Sequence, residues 1–288
     1  MKRSTTLEKL LTLNLILGTV DLVMLRTLWC RERRYKVPNQ LSGQEDFLLQ
    51  LAGNTGMSPA AGFVMHLYRT GQLSGESSVL SGKSLMGANW GRVVLFEANL
   101  RCIDLSYAIL DDIELRGADL SEGRFQWASL KSANLARTKL RKADLTRVKA
   151  MKSSFFMAYA QRSIFQRGNF DQADFQEADF HGAKLNTARL TQVNMRDTNL
   201  AEADLRGAVL TGARMIRTNL RGANLAYARF DESTILPDAE FIPERNSFDK
   251  YWTPQTDMTR YTNPDHPDFW QPEWAMKYDW VKQNYNED

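Results

Sequence analysis

The sequence predicts a solenoid of four-cornered coils for the central part of this 288-residue chain, roughly residues 78–235. Two observations predict it. From Leu80 onward every fifth residue is large and apolar, through Leu85, Trp90, Leu95, Leu100 and on to Phe230 and Ile235. One phase is held over 32 such positions without an insertion, and only Ala150 and Ala160 are small. The residue two places earlier is nearly always small or β-branched, and it is Ala in 17 of the 32. A period of five suits neither the 3.6 of a helix nor the 2 of a strand. It suits a chain that turns a corner every five residues, four corners to a coil. The central Leu or Phe then points inward, and the small residue before it points inward near the corner, where bulk would strike the neighbouring coil.

Residues twenty apart stack on one side in this arrangement, so Phe155 lies under Phe175, followed by Met195 and Met215. Ala150 and Ala160 fall on opposite sides of one coil, with Phe155 and Phe165 on the other two, which roughly conserves core volume. The remaining positions hold the Arg, Lys, Asp, Glu, Gln and Ser of the repeat and are expected to face water. Asp119, Asp144, Asp174, Asp179 and Asp204 are read as solvated carboxylates beside the turns.

Blocks such as Ala118-Asp119-Leu120, Ala173-Asp174-Phe175 and Ala223-Asn224-Leu225 resemble the pentapeptide-repeat family of bacterial proteins, whose consensus is Ala-(Asp/Asn)-Leu-x-x. The resemblance implies an all-β solenoid, a right-handed quadrilateral β-helix, here of about eight coils at about 4.8 Å each. α-Helical segments would precede it and an irregular cap would follow.

A β-helix leaves an open sheet edge at each end, and open edges invite aggregation unless covered. Ser58-Pro59 to Arg69 reads as a capping helix, with Ser58 at N-cap, Pro59 at N1 and Gly71 just past the end. Its Phe63, Val64, Leu67 and Tyr68 are placed on the first coil, and His66 is a surface or satisfied histidine. Residues 236–288 form an aromatic-rich tail holding Trp252, Trp270, Trp274 and Trp280, and Pro-fixed turns suit such a segment to lying flat on the far end. These tryptophans are candidates for capping or for partner binding.

Residues 1–36 form an apolar segment with a basic flank, and residues 37–77 a linker with the capping helix. Leu10 to Leu25 are apolar, but Asp21 lies among them and Glu8, Lys9 and Arg26 flank them, short of the ~20 apolar residues a bilayer crossing needs. Two readings stay open for residues 7–29: a membrane anchor, or an amphipathic packing or self-association helix. The basic run after it would hold the repeats on the cytoplasmic side if it inserted. The expected location is the cytoplasm, free or anchored to the inner face of the membrane.

Chemistry is scarce. Cys30, Cys102 and three scattered histidines, His66, His181 and His266, make no disulfide framework or zinc spacing, and no phosphate loop or nucleophile elbow occurs. The chain reads as a non-enzyme without cofactor, metal or small-molecule substrate. Some pentapeptide-repeat proteins imitate acidic duplex DNA and bind gyrase, but this repeat body carries 23 Lys/Arg against 18 Asp/Glu, so that activity is not expected. From Arg124 to Arg167 there are eleven basic residues against Asp144 alone, densest at Arg137, Lys139, Arg141, Lys142, Arg147, Lys149 and Lys152. These are the candidate anion-binding residues. Their charges spread around all four sides, and no aromatics are expected to interleave with them on solvent positions. The first functional reading is therefore a protein-interaction or scaffolding surface, with an unidentified protein partner or a homo-oligomer. The second is an anion- or nucleic-acid-binding module using residues 124–167.

Overall fold

The computed structural model describes residues 59–75 and 78–276. Its architecture follows from how each five-residue unit disposes of its backbone. In one unit Leu105 donates to Arg124 one coil on (2.7 Å), Tyr107 donates to Gln126 (2.8 Å), and Asp104 donates back to Lys83 (2.8 Å). Parallel bridges pair residues twenty apart from Ser84↔Asp104 to Val209↔Arg229, so four units make a coil. Sides one to four are centred, in a single coil, on Leu120, Phe125, Leu130 and Leu135.

The corner consumes a fourth amide, as Ala108 donates to the carbonyl of Leu105 at 3.1 Å. This closes a four-residue turn whose third residue has positive φ, as a type II turn requires. Every such residue from Gly82 to Tyr227 is left-handed, and 23 of the 30 are not glycine. Each of those costs about 1 kcal/mol locally, so the inter-coil ladder and the core must outweigh them.

One amide per unit remains, on the residue after the central one, and the second repeat position answers it. Asp119 accepts from the N–H of Ser121 and Asn169 from that of Asp171, both at 3.0 Å. All fourteen Asp and Asn residues at this position between residues 84 and 229 make the same bond. Asp119, Asp144, Asp174, Asp179 and Asp204 are thus not merely solvated, as expected; they are half-buried acceptors that complete the backbone account. Where the position holds Ser129 or Arg189, Asp111 or Asp171 of the preceding coil supplies the acceptor to Lys131 or Thr191.

Central residues from Leu80 to Leu220 are buried. From Thr138 to Thr218 each hydroxyl at the small position donates to a backbone carbonyl, whereas the buried Ser78 hydroxyl has no partner among the described residues. Thr138 donates to Leu135, Thr198 to Phe175 and Thr218 to Met195. In the coil of Ala150 and Ala160, Phe155 and Phe165 meet edge to face with centroids 5.9 Å apart, and both rings also touch Phe170 and Phe175. The space the two alanines leave is filled by aromatic rings. Gly123 and Gly168 stand at the small position before Phe125 and Phe170, whose rings lie where a Cβ would go.

The N-terminal end is closed by α1 (Pro59–Arg69). Ala61, Val64 and Leu67 are buried, Phe63 and Tyr68 half-buried against the same core. Gly71 ends it: Gly71 donates to Tyr68 and Gln72 to Leu67, the paired bonds of a Schellman closure. Ser58, the expected N-cap, and residues 7–29 lie outside the described residues.

At the other end the count does break. Arg214 bridges Ile235, 21 residues on, so one extra residue lies between Phe230 and Ile235. Thr234 and Leu236 therefore take the inward positions expected of Ser233 and Ile235. Ile235 instead pairs antiparallel with Tyr251, which turns the chain back over the end. The cap comprises a short hairpin, β1 (Phe241–Ile242) and β2 (Ser247–Phe248), followed by α2 (Thr259–Thr262) and α3 (Glu273–Met276). Asp238 anchors it: its carboxylate accepts from the buried Tyr261 hydroxyl at 2.6 Å and pairs with Lys250 and Arg260.

Candidate functional site

A filled rod offers its outside, so function must be sought on its sides, corners and ends. The belt residues take the positions their phase dictates. Lys139 stands on side one and Lys149 on side three, which is opposite. Arg141 and Lys142 occupy the corner between sides one and two, Arg147 the next corner, Lys152 the next, and Arg137 the last. The structure does not gather the seven into one patch. It does leave them without ion pairs: every ion pair among the described residues lies outside residues 124–167. Asp144, the one acid there, is engaged by the Gln126 amide and the Thr146 N–H. Like charges without partners raise the local potential and favour an anionic partner.

Aromatics do interleave with this belt, contrary to expectation. Tyr107 and Trp127 occupy the same corner position one coil apart, with rings 6° from parallel and centroids 6.4 Å apart. The Arg147 guanidinium, another coil on, lies 4.4 Å from the Trp127 ring centroid. Tyr107 is 57% and Trp127 45% exposed, although burial would have stabilised either ring. The signal was present in the sequence as aromatics twenty residues apart at a turn position.

Of the tail tryptophans, Trp252 stacks on Phe230 at 5.9 Å, and Trp270 meets Tyr261 edge to face at 6.0 Å. Trp274 donates its indole N–H to the carbonyl of Arg217. All three are half-buried against the last coils or the cap itself, and Trp280 lies outside the described residues.

Two open clefts mark the surface. One of about 440 Å³ lies on side four among Arg116, Asn134, Arg137, Phe156 and Asp174. The other, of about 890 Å³, separates the hairpin from the last coils and includes Arg196, Arg214, Arg217, Phe241 and Phe248. Neither holds a His or Cys. Among the described residues no group of His, Cys, Asp or Glu is placed to hold a metal ion. Cys102 is exposed and unpaired by disulfide, and partial burial together with Glu122 pushes its thiol pKa up, away from the activated range. No described helix is long and apolar enough to cross a membrane.

The coil geometry has a counterpart among known families. Eight copies of the model for pentapeptide repeats match the chain, including copies over residues 98–135, 108–147, 153–192, 188–226 and 198–234.

The chain belongs to the pentapeptide-repeat family.

Pentapeptide-repeat proteins coil as right-handed quadrilateral β-helices, and the four-sided parallel coil of this member is that fold. A search of curated proteins found no sequence match. Among solved structures the chain is similar to HetL, a pentapeptide-repeat protein involved in heterocyst differentiation regulation from the cyanobacterium Nostoc sp. strain PCC 7120. Identity is 20%, coverage 62% of this chain and 97% of that one, and the TM-score 0.30. It is similar also to a trypsin-treated form of QnrB1, a plasmid-mediated fluoroquinolone resistance protein, at 16% identity. Coverage there is 53% and 85%, with a TM-score of 0.27. A pentapeptide-repeat protein, Rfr23, from the cyanobacterium Cyanothece 51142 matches at 19% identity, covering 52% and 89% with a TM-score of 0.19. The coil of this pentapeptide-repeat protein is established by its own bridges and repeat matches.

Proposed function

We propose that this pentapeptide-repeat protein is a non-catalytic interaction surface, a rod of about eight coils whose sides present partner-binding groups at fixed spacing. The observation that carries the reading is the exposed Tyr107–Trp127–Arg147 column. Tyr, Trp and Arg are the residues that concentrate binding energy at protein interfaces, and here two such rings stand open to solvent on a rigid corner. A rod fixed by three inter-coil bonds per unit also loses little freedom on binding, which favours affinity. The test is affinity capture from native lysate by the full-length protein and by a Trp127→Ala variant, with captured proteins compared. A partner lost with Trp127→Ala supports the reading; identical captures remove it. Membrane fractionation of the full-length protein against one lacking residues 7–29 tests the tethered form of this reading.

The unpaired belt favours one second reading, an anion- or nucleic-acid-binding module. Salt-dependent retention on DNA, falling steeply as counterions compete, would support it, and elution at low salt would exclude it.

A further inference from the structure

The corner between sides two and three carries Met86, Tyr107, Trp127, Arg147 and Arg167 in ascending coils, with Ile109 and Lys149 beside it on side three. Met86, Tyr107, Ile109 and Trp127 are exposed, and they make up four of the ten exposed large apolar side chains among the described residues. Above them Lys149 and Arg167 are exposed and in no ion pair. The surface thus has an apolar end and a cationic end, and the Arg147–Trp127 contact joins the two.

That order selects a partner. Arg147 covers one face of Trp127, and Tyr107 lies parallel to the ring with centroids 6.4 Å apart, less than the gap a base would need between two rings. A nucleic-acid strand therefore finds few open faces on which to stack successive bases. A protein surface that packs against ring edges and offers carboxylates meets no such obstacle. The chain itself presents one. Residues 236–276 hold eight acidic against three basic residues. All the acids except Asp238 are exposed, and Phe241 and Met276 stand exposed among them at 52% and 63%. Phe230, on which the cap rests, is about five coils from Trp127, roughly 24 Å along the rod. Corner and cap therefore meet between molecules.

We propose that the Met86–Tyr107–Trp127–Arg147 corner docks the acidic C-terminal cap of a second copy of this chain. The proposal rests on the interaction reading and names its partner. The contact is head to side, so association is open-ended and grows with concentration, unlike a two-fold dimer.

Sedimentation velocity of the full-length protein over a concentration series, at low and high salt, tests it. The expected result is a mass that rises with concentration at low salt and falls back at high salt. Trp127→Ala, the corner variant Arg147→Glu with Lys149→Glu, and the cap variant Glu240→Lys with Glu244→Lys should each weaken association about tenfold or more. Mixing the corner variant with the cap variant should restore a single contact and stop at a heterodimer, since each retains the half that the other lacks and neither can extend the assembly. Circular dichroism of the variants verifies the coil. A protein that stays monomeric throughout overturns the proposal, as does association that all three variants preserve. A monomer that binds labelled oligo-dT through Trp127 also overturns it and makes nucleic acid the occupant. A monomer whose captured partner is lost with Trp127→Ala overturns the second copy as partner while the interaction reading stands.

Discussion

A methyl group on Gly168 would stand 2.8 Å from Cζ of Phe170 and closer still to its Cε2. The Phe170 ring leans back over its own corner, which is open only because the small position there carries no side chain. Gly168→Ala should therefore overpack the coil and destabilise by about 1–3 kcal/mol. Phe170→Leu in the same chain should relieve most of that cost. A double-mutant cycle by chemical denaturation gives the coupling, and an additive pair would show that the ring is not the obstacle.

Ala150 and Ala160 make a second packing test. With Phe155 and Phe165 filling the centre of their coil, restoring Leu at both alanines should cost about 1–3 kcal/mol. Ala150→Leu together with Phe155→Leu keeps volume closer to its present value and should be milder. A double-Leu variant more stable than the parent would mean that the coil contains unfilled space.

The acceptor at the second position is tested at Asn169, whose side-chain oxygen takes the Asp171 amide. Asn169→Ala leaves that amide to water and should cost about 1 kcal/mol. Asn169→Asp keeps an oxygen in place and should lie within a few tenths of a kcal/mol of the parent. Equal losses for the two would mean that the bond to Asp171 is not what matters.

Acid should release the C-terminal cap. Burial pushes the Asp238 carboxyl up, but the Tyr261 hydroxyl and the Lys250 and Arg260 cations outweigh it and hold the folded value below the usual range. A depressed folded pKa means that this contribution is complete above the unfolded value of about 3.9 and is lost as pH falls through the folded value. Tryptophan fluorescence should thus report cap loosening below about pH 4, through Trp252 and Trp270. Asp238→Ala, which strands two cations and a buried hydroxyl, should cost about 3 kcal/mol at neutral pH and remove this acid transition.

The period of five determined most of the fold by itself. Each side chain's inward or outward sense depends only on its place in the unit, so Leu120, Ala118 and the compensating Phe155 and Phe165 could be placed by counting. The belt's spread over four sides followed from the same count. Other features were decided by three-dimensional packing. The Asp119–Ser121 bond depends on which amide the left-handed corner leaves over, a matter of backbone dihedrals that composition does not report. The extra residue before Ile235 is invisible to a search for apolar residues, because Ile235 is apolar whichever way it faces; its bridges to Arg214 and Tyr251 show that it took the position beside the central one, which passed to Leu236. The Tyr107–Trp127–Arg147 column needs neighbours twenty residues apart to share a corner, and that adjacency exists only once the coils have stacked.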